Sequence, residues 1–99
     1  MNNEQGEKGI SHLKIRIDPH TLERAEERGT NEEEIKDVIQ TGFQISAKSN
    51  RLGKAKVYPY NQVRRGKFYE QKRVEVIYTK KVKEVVTVTV YVFYGKWEI

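Results

Sequence analysis

Cysteine is absent from the 99 residues, so neither a disulfide framework nor thiolate chemistry is available, and a reducing compartment suits the chain. Histidine is almost as scarce. With only His12 and His20 to offer, a zinc site would have to lean on carboxylates, and no metal or other cofactor is expected. No stretch approaches the ~18 apolar residues of a membrane span, and the opening MNNEQGEKG lacks the apolar core of a secretory signal. The expectation is therefore a soluble cytoplasmic protein with no membrane partner. At 99 residues and 36% hydrophobic there is material for one core, which excludes a multidomain enzyme. Residues 1–11, polar and without period, read as a disordered tail, and 12–99 as a single domain.

Charge is what the chain has in plenty. Nineteen Lys and Arg stand against fourteen Asp and Glu, for a net +5, and the two signs are segregated. Residues 18–37 hold three bases against eight acids, whereas 48–73 hold nine bases against Glu70 alone. The run KSNRLGKAK (48–56) is either a solvated loop, given its Ser, Asn and Gly, or part of a phosphate-facing patch.

Element signals come in two halves. LKIRID alternates Leu13, Ile15 and Ile17 with polar residues, the period of a short strand. Asp18-Pro19 opens a helix over 19–28 that stops at Gly29. Thr30-Asn31-Glu32-Glu33 reads as a Thr-x-x-Glu capping box for a second helix, with Ile35, Val38 and Ile39 as its apolar stripe and Gly42 as its end. From Phe43 the period becomes two, through FQISA, KVYPY, FYEQKRVEVIYT and EVVTVTVYVFY. Pro59 belongs at a sheet edge, because it lacks a donor, and the last two strands should pair as an antiparallel hairpin. The fold class is α+β, with both N-terminal helices on one face of the sheet. In the last strand Val86, Val88, Val90 and Val92 should face the helices, leaving Val85, Thr87, Thr89, Tyr91 and Phe93 on the opposite face. That second row is either a half-covered strand face or a platform for stacking bases.

The first helix carries the most informative spacing. His20, Arg24 and Arg28 recur every four residues along one side, and neither Arg has an acid three or four positions before it; only the Arg24–Glu27 pair remains. Two guanidiniums one turn apart call for an outside anion, a carboxylate or a phosphate. His20 sits at the positive end of the helix dipole beside Arg24, which disfavours imidazolium. A neutral imidazole can accept a proton from a ribose 2′-hydroxyl while the two Arg neutralise the phosphorane, giving metal-free RNA cleavage to a 2′,3′-cyclic phosphate. The bland alternative is a helix-start His bonded to backbone and an Arg pair bridging acids. The leaving 5′-oxygen would take its proton from Tyr91, Lys72 or water, and His12 has no assigned role.

The run HTLERAEERGTNEEEIKDVIQTG, followed after a basic stretch by a strand ending VVTVTVY, resembles the bacterial domain-of-unknown-function family four-two-five-eight. The matching positions are His20, Arg24, Arg28-Gly29, Glu33-Glu34-Ile35 and Thr89-Val90-Tyr91, within roughly residues 19–94 of the chain. That family is similar to the barnase, EndoU, colicin and RelE superfamily of small ribonucleases, many of them toxins neutralised by a partner protein. The resemblance implies two helices on a curved four-stranded antiparallel sheet with RNA on the open face, and His20, Arg24, Arg28, Thr89 and Tyr91 as catalytic residues. RelE-like toxins use clustered Lys, Arg and Tyr on the strands, a role open here to Arg64, Arg65, Lys67, Lys72 and Arg73 as RNA-binding residues.

The reading that follows is a metal-independent endoribonuclease-like domain, the toxin of a bacterial toxin–antitoxin pair. Its partners would be RNA and a cognate antitoxin, and the chain would be a monomer or homodimer. The alternative is a non-catalytic RNA-binding or protein-interaction module of the same fold. A helix-turn-helix DNA binder fits worse, because Glu32, Glu33, Glu34 and Asp37 on the second helix would repel a major groove. Convergence of His20, Arg24 and Arg28 with Thr89 and Tyr91 in one open cleft would favour the enzyme.

Overall fold

Proline and glycine set the helix pair. In a computed structural model that describes residues 13–98, Pro19 takes the first position of α1 (Pro19–Arg28), where its missing N–H costs nothing. Asp18 precedes it with extended backbone, and its carboxylate caps nothing; its N–H instead donates to Thr87 Oγ1 at 3.0 Å. Gly29 ends α1 in the left-handed region, φ +97°, its N–H returned to the Ala25 carbonyl. The cap of α2 (Glu32–Thr41) falls one residue later than the Thr-x-x-Glu pattern suggests. Asn31 Oδ1 accepts from the Glu34 N–H at 2.9 Å, and Thr30 Oγ1 donates to the Glu34 carboxylate at 2.7 Å. Asn is at least as good an N-cap as Thr, so the neighbouring residue takes the role. The tail expected over residues 1–11 and His12 lie outside the described residues.

The remaining elements are β1 (Lys14–Arg16), β2 (Phe43–Ile45), β3 (Leu52–Arg64), β4 (Lys67–Lys80) and β5 (Glu84–Gly95). They form one five-stranded sheet in the order β1-β5-β4-β3-β2. The sheet is thus larger than the expected four strands, and mixed. β1 lies parallel to β5, because the chain passes through both helices and the whole meander before returning beside it, while β2 to β5 are antiparallel neighbours. No described helix is long and apolar enough to cross a membrane.

Both helices cover one face of this sheet. Ala25 of α1 and Ile35, Val38 and Ile39 of α2 close over Val74, Val76, Tyr78, Val85 and Val90. The valine row of β5 departs from simple alternation. Between Ile77 and Tyr78 the β4–β5 register shifts, so that Ile77 faces Thr89 while Tyr78 faces Thr87, and Val88 is the extra residue of a β-bulge. Val85 and Thr87 therefore point to the helices before the bulge, and Val90, Val92 and Tyr94 after it. Thr87 is tolerated in the core because its hydroxyl bonds both the Asp18 N–H and Thr21 Oγ1.

The two outer strands cover their neighbours only in part. β1 covers only Glu84–Val86 of β5, and the rest of that side meets α1. β2 covers only Gly53–Ala55 of β3, and Pro59 sits on the uncovered stretch beside a second register shift, with Asn61 at φ +51°. Since β5 reaches only Gln71 of β4, residues Gln62–Tyr69 project as a two-stranded ribbon closed by Arg65-Gly66, both at positive φ.

Candidate functional site

Arg28 holds the junction between α1, the β5 edge and the projecting ribbon. Thr21 and Ala25 are the buried residues of α1, and Arg28, seven positions after Thr21, extends the same inward stripe. Its guanidinium donates to the Val90 carbonyl at 2.6 Å and lies 5.4 Å from the centre of the Tyr91 ring. Arg28 thus passes around the uncovered edge of β5, from the helix side towards the opposite face.

His20 and Arg24 do not accompany it. Eight positions on a helix leave His20 about 80° around the axis and about 12 Å along it from Arg28. The His20 side chain is 81% exposed, with Nδ1 3.9 Å from Glu23 Oε1. Arg24 reaches 4.0 Å from Glu27 Oε1, the pairing anticipated from sequence. The structure therefore brings together Arg28 and Tyr91 of the five catalytic candidates. Thr89 lies two residues before Tyr91 on the same face, opposite Ile77, and His20 and Arg24 stand apart on the exposed side of α1.

Beside Arg28 opens a cleft of about 280 Å³ lined by Glu27, Arg28, Arg64, Arg65, Tyr69, Val92 and Tyr94. Arg64 donates to the Glu27 carbonyl at 3.1 Å, with its guanidinium 4.7 Å from the Tyr94 ring. Arg65, in the ribbon turn, has no carboxylate partner among the described residues. Tyr94 packs against Tyr60 and Tyr69, at 5.0 and 5.6 Å between ring centres, and donates its hydroxyl to the Arg28 carbonyl at 2.6 Å. Burial pushes the Tyr94 phenol up, with Arg64 opposing in part, so at neutral pH Tyr94 is a fixed donor that positions the end of α1. A side chain at Gly29 would collide with the Tyr94 hydroxyl, so glycine is required there by space as well as by φ.

The other basic candidates disperse. Lys72 is buried, donating to the Gly29 carbonyl at 2.8 Å and paired with Glu34 at 2.9 Å; it pins the α1–α2 turn to β4 rather than facing solvent. Arg73 pairs with Glu75 at 2.8 Å and lies over Phe43. Lys67 is exposed beside the Tyr69 ring. Arg64 and Arg65 remain as the strand-borne cations that join Arg28.

Sequence named Glu27 only as the partner of Arg24 and Val92 only as a helix-facing valine, and it did not single out Tyr69 or Tyr94. The signal available was compositional: six tyrosines in 99 residues, several near the basic run. Chemically, three guanidiniums against one carboxylate make an anion site, and each guanidinium offers up to five N–H donors in a planar fork suited to phosphate oxygens. No group of three or more His, Asp or Glu able to hold a metal ion occurs among the described residues.

The family model described as Domain of unknown function (DUF4258) matches residues 17–92, from the end of β1 through α1 and the Arg28–Val90 junction to Val92. No curated protein and no solved structure matches the chain.

Proposed function

The chain belongs to the family described as Domain of unknown function (DUF4258), and since that description assigns no chemistry, we propose from the site's own residues that this is a small metal-independent endoribonuclease-like domain. The observation that carries the reading is the meeting of Arg28, Arg64 and Arg65 with tyrosines in one open cleft, opposed only by Glu27. A phosphodiester seated there is met by preorganised donors aimed where charge grows. The ribose 2′-oxygen bonds to phosphorus, the bond to the 5′-oxygen breaks, and the arginines neutralise the phosphorane between. With His20 outside the cleft and Tyr91 on the far side of the β5 edge, water takes the 2′-hydroxyl proton and supplies the proton of the leaving oxygen. The products are a 2′,3′-cyclic phosphate and a free 5′-hydroxyl.

On this reading the protein acts on cytoplasmic RNA. If the family's expected similarity to the barnase, EndoU, colicin and RelE superfamily extends to this chain, its role is that of the toxin in a toxin–antitoxin pair, with an antitoxin that masks the arginine cleft. A second reading, binding of RNA without cleavage, is favoured by one observation: His20 and Arg24 stand apart from Arg28 on the exposed side of α1.

Incubation of end-labelled RNA in EDTA separates the two. Cleavage with cyclic-phosphate ends is expected, reduced about 100-fold or more in Arg28→Ala and in Arg64→Ala/Arg65→Ala, on the scale of a lost transition-state donor, and unchanged in His20→Ala. RNA that stays intact but shifts on a gel establishes the binding module, and RNA neither cut nor bound removes both readings.

A further inference from the structure

Across the β5 edge from the cleft, Tyr91 and Phe93 lie on the sheet face turned away from the helices, opposite Glu75 and Arg73 of β4. Both rings are open to solvent, at 43% and 47% exposure, although β-strand aromatics ordinarily find cover. They are nearly parallel, at 26°, with centres 6.4 Å apart. That separation is about two base-stacking rises of ~3.4 Å, so one base can lie against each ring once the bases have left a helical stack. The bulge at Val88 creates this arrangement, since it reverses which residues of β5 face the helices and turns an aliphatic pair inward and an aromatic pair outward. Arg28 connects the two sides, lining the cleft on one and standing 5.4 Å from the Tyr91 ring on the other.

We propose that Tyr91 and Phe93 form a stacking platform for two adjacent unpaired nucleobases of a single-stranded RNA, whose backbone crosses the β5 edge at Arg28 and enters the arginine cleft. The inference rests on the RNA reading of that cleft and adds what it leaves open: strandedness, and Phe93 as a binding residue. Charge favours a nucleic acid here: Arg73, opposite Phe93, is paired with Glu75, but Arg28 beside the Tyr91 ring leads into the cleft that Arg64 and Arg65 also line. A duplex cannot use the platform, since its bases are stacked on one another and its edges, not its ring faces, are presented.

The test uses the intact chain and an uncleavable probe, an eight-nucleotide 2′-O-methyl RNA with 2-aminopurine at its centre, free or annealed to its complement. The single strand is expected to bind with quenched 2-aminopurine fluorescence, and the duplex at least about tenfold more weakly. Phe93→Leu should weaken the single strand by roughly fivefold or more, the scale of one lost base–ring stack, and abolish the quenching, whereas Tyr91→Phe keeps both. Thermal melts of each variant confirm the fold. Equal binding of duplex and single strand overturns the platform while the RNA reading stands. So does full single-strand binding by Phe93→Leu when Arg64→Ala/Arg65→Ala has lost it, and the aromatic face then belongs to a protein partner. Absence of binding by either probe overturns the platform and the RNA reading together.

Discussion

At the scale of single residues the junction at the end of α1 is sensitive to small changes. Gly29→Ala places a methyl against the Tyr94 hydroxyl and keeps a left-handed φ that a side chain resists, so it should cost about 1–3 kcal/mol in a urea melt. Arg28→Lys tests a different point. A lysine keeps the charge but loses the planar fork that bonds the Val90 carbonyl while leaving other N–H groups for a phosphate. Stability should fall by roughly 1.5–3 kcal/mol, the value of a charged hydrogen bond, and RNA binding should fall with it although net charge is unchanged. Arg28 was legible as a functional candidate; its direction was not. Counted from His20 it closes a run of every fourth residue, whereas counted from Thr21 it continues the buried stripe. Only the packing of Thr21 against Thr87 decides between them.

Among the secondary-structure elements, polar anchors hold α2 and the interhelix turn to the sheet. Asp37 of α2 accepts from Lys56 Nζ at 2.7 Å and from the Tyr58 hydroxyl at 2.6 Å, and these two bonds hold its carboxyl below the usual range. Burial, then Asp37, pushes the Tyr58 phenol up. The signs are opposite. The Asp37 contribution is present above its unfolded value of ~3.9 and lost as pH falls through the lowered folded value; the Tyr58 contribution is present below ~10 and lost as pH rises beyond it. Urea midpoints measured from pH 3 to 11 should therefore fall at both ends, and Asp37→Asn should flatten the acid limb. Lys72 and Glu34 form the second anchor, with side chains 11% and 23% exposed. Lys72→Ala should cost ~3 kcal/mol by stranding the Glu34 carboxylate, with part recovered in the double variant Lys72→Met/Glu34→Gln. Helix limits, the β4–β5 hairpin and the edge position of Pro59 were readable because each depends on residues a few positions apart. The Val88 bulge was not, because β-branched residues fill both alternation phases of β5, so either phase satisfies the pattern and the register against β4 decides.

For the molecule as a whole, the candidate cleft is assembled from segments far apart in the chain. The acidic stretch of 18–37 and the basic stretch of 48–73 were visible as a charge reversal, but that Arg64 and Arg65 would reach Arg28 rather than spread over a loop required the ribbon to fold back on α1. Three guanidiniums at the site predict a single-strand binding constant that falls with log salt at a slope of about −2, and removal of Arg65 alone should reduce that slope by ~0.7. A titration between low and moderate salt reads both values.

The Arg28–Val90 and Tyr94–Arg28 bonds span 62 and 66 positions, and β5 is the last of the described elements to be synthesised. A ribosome that has released α1, α2 and the β3–β4 ribbon therefore holds a nascent chain with all three arginines and no assembled cleft. The site can assemble only after β5 has left the exit tunnel. A protease that trims the chain back to Val90 would undo that assembly and leave every arginine in place.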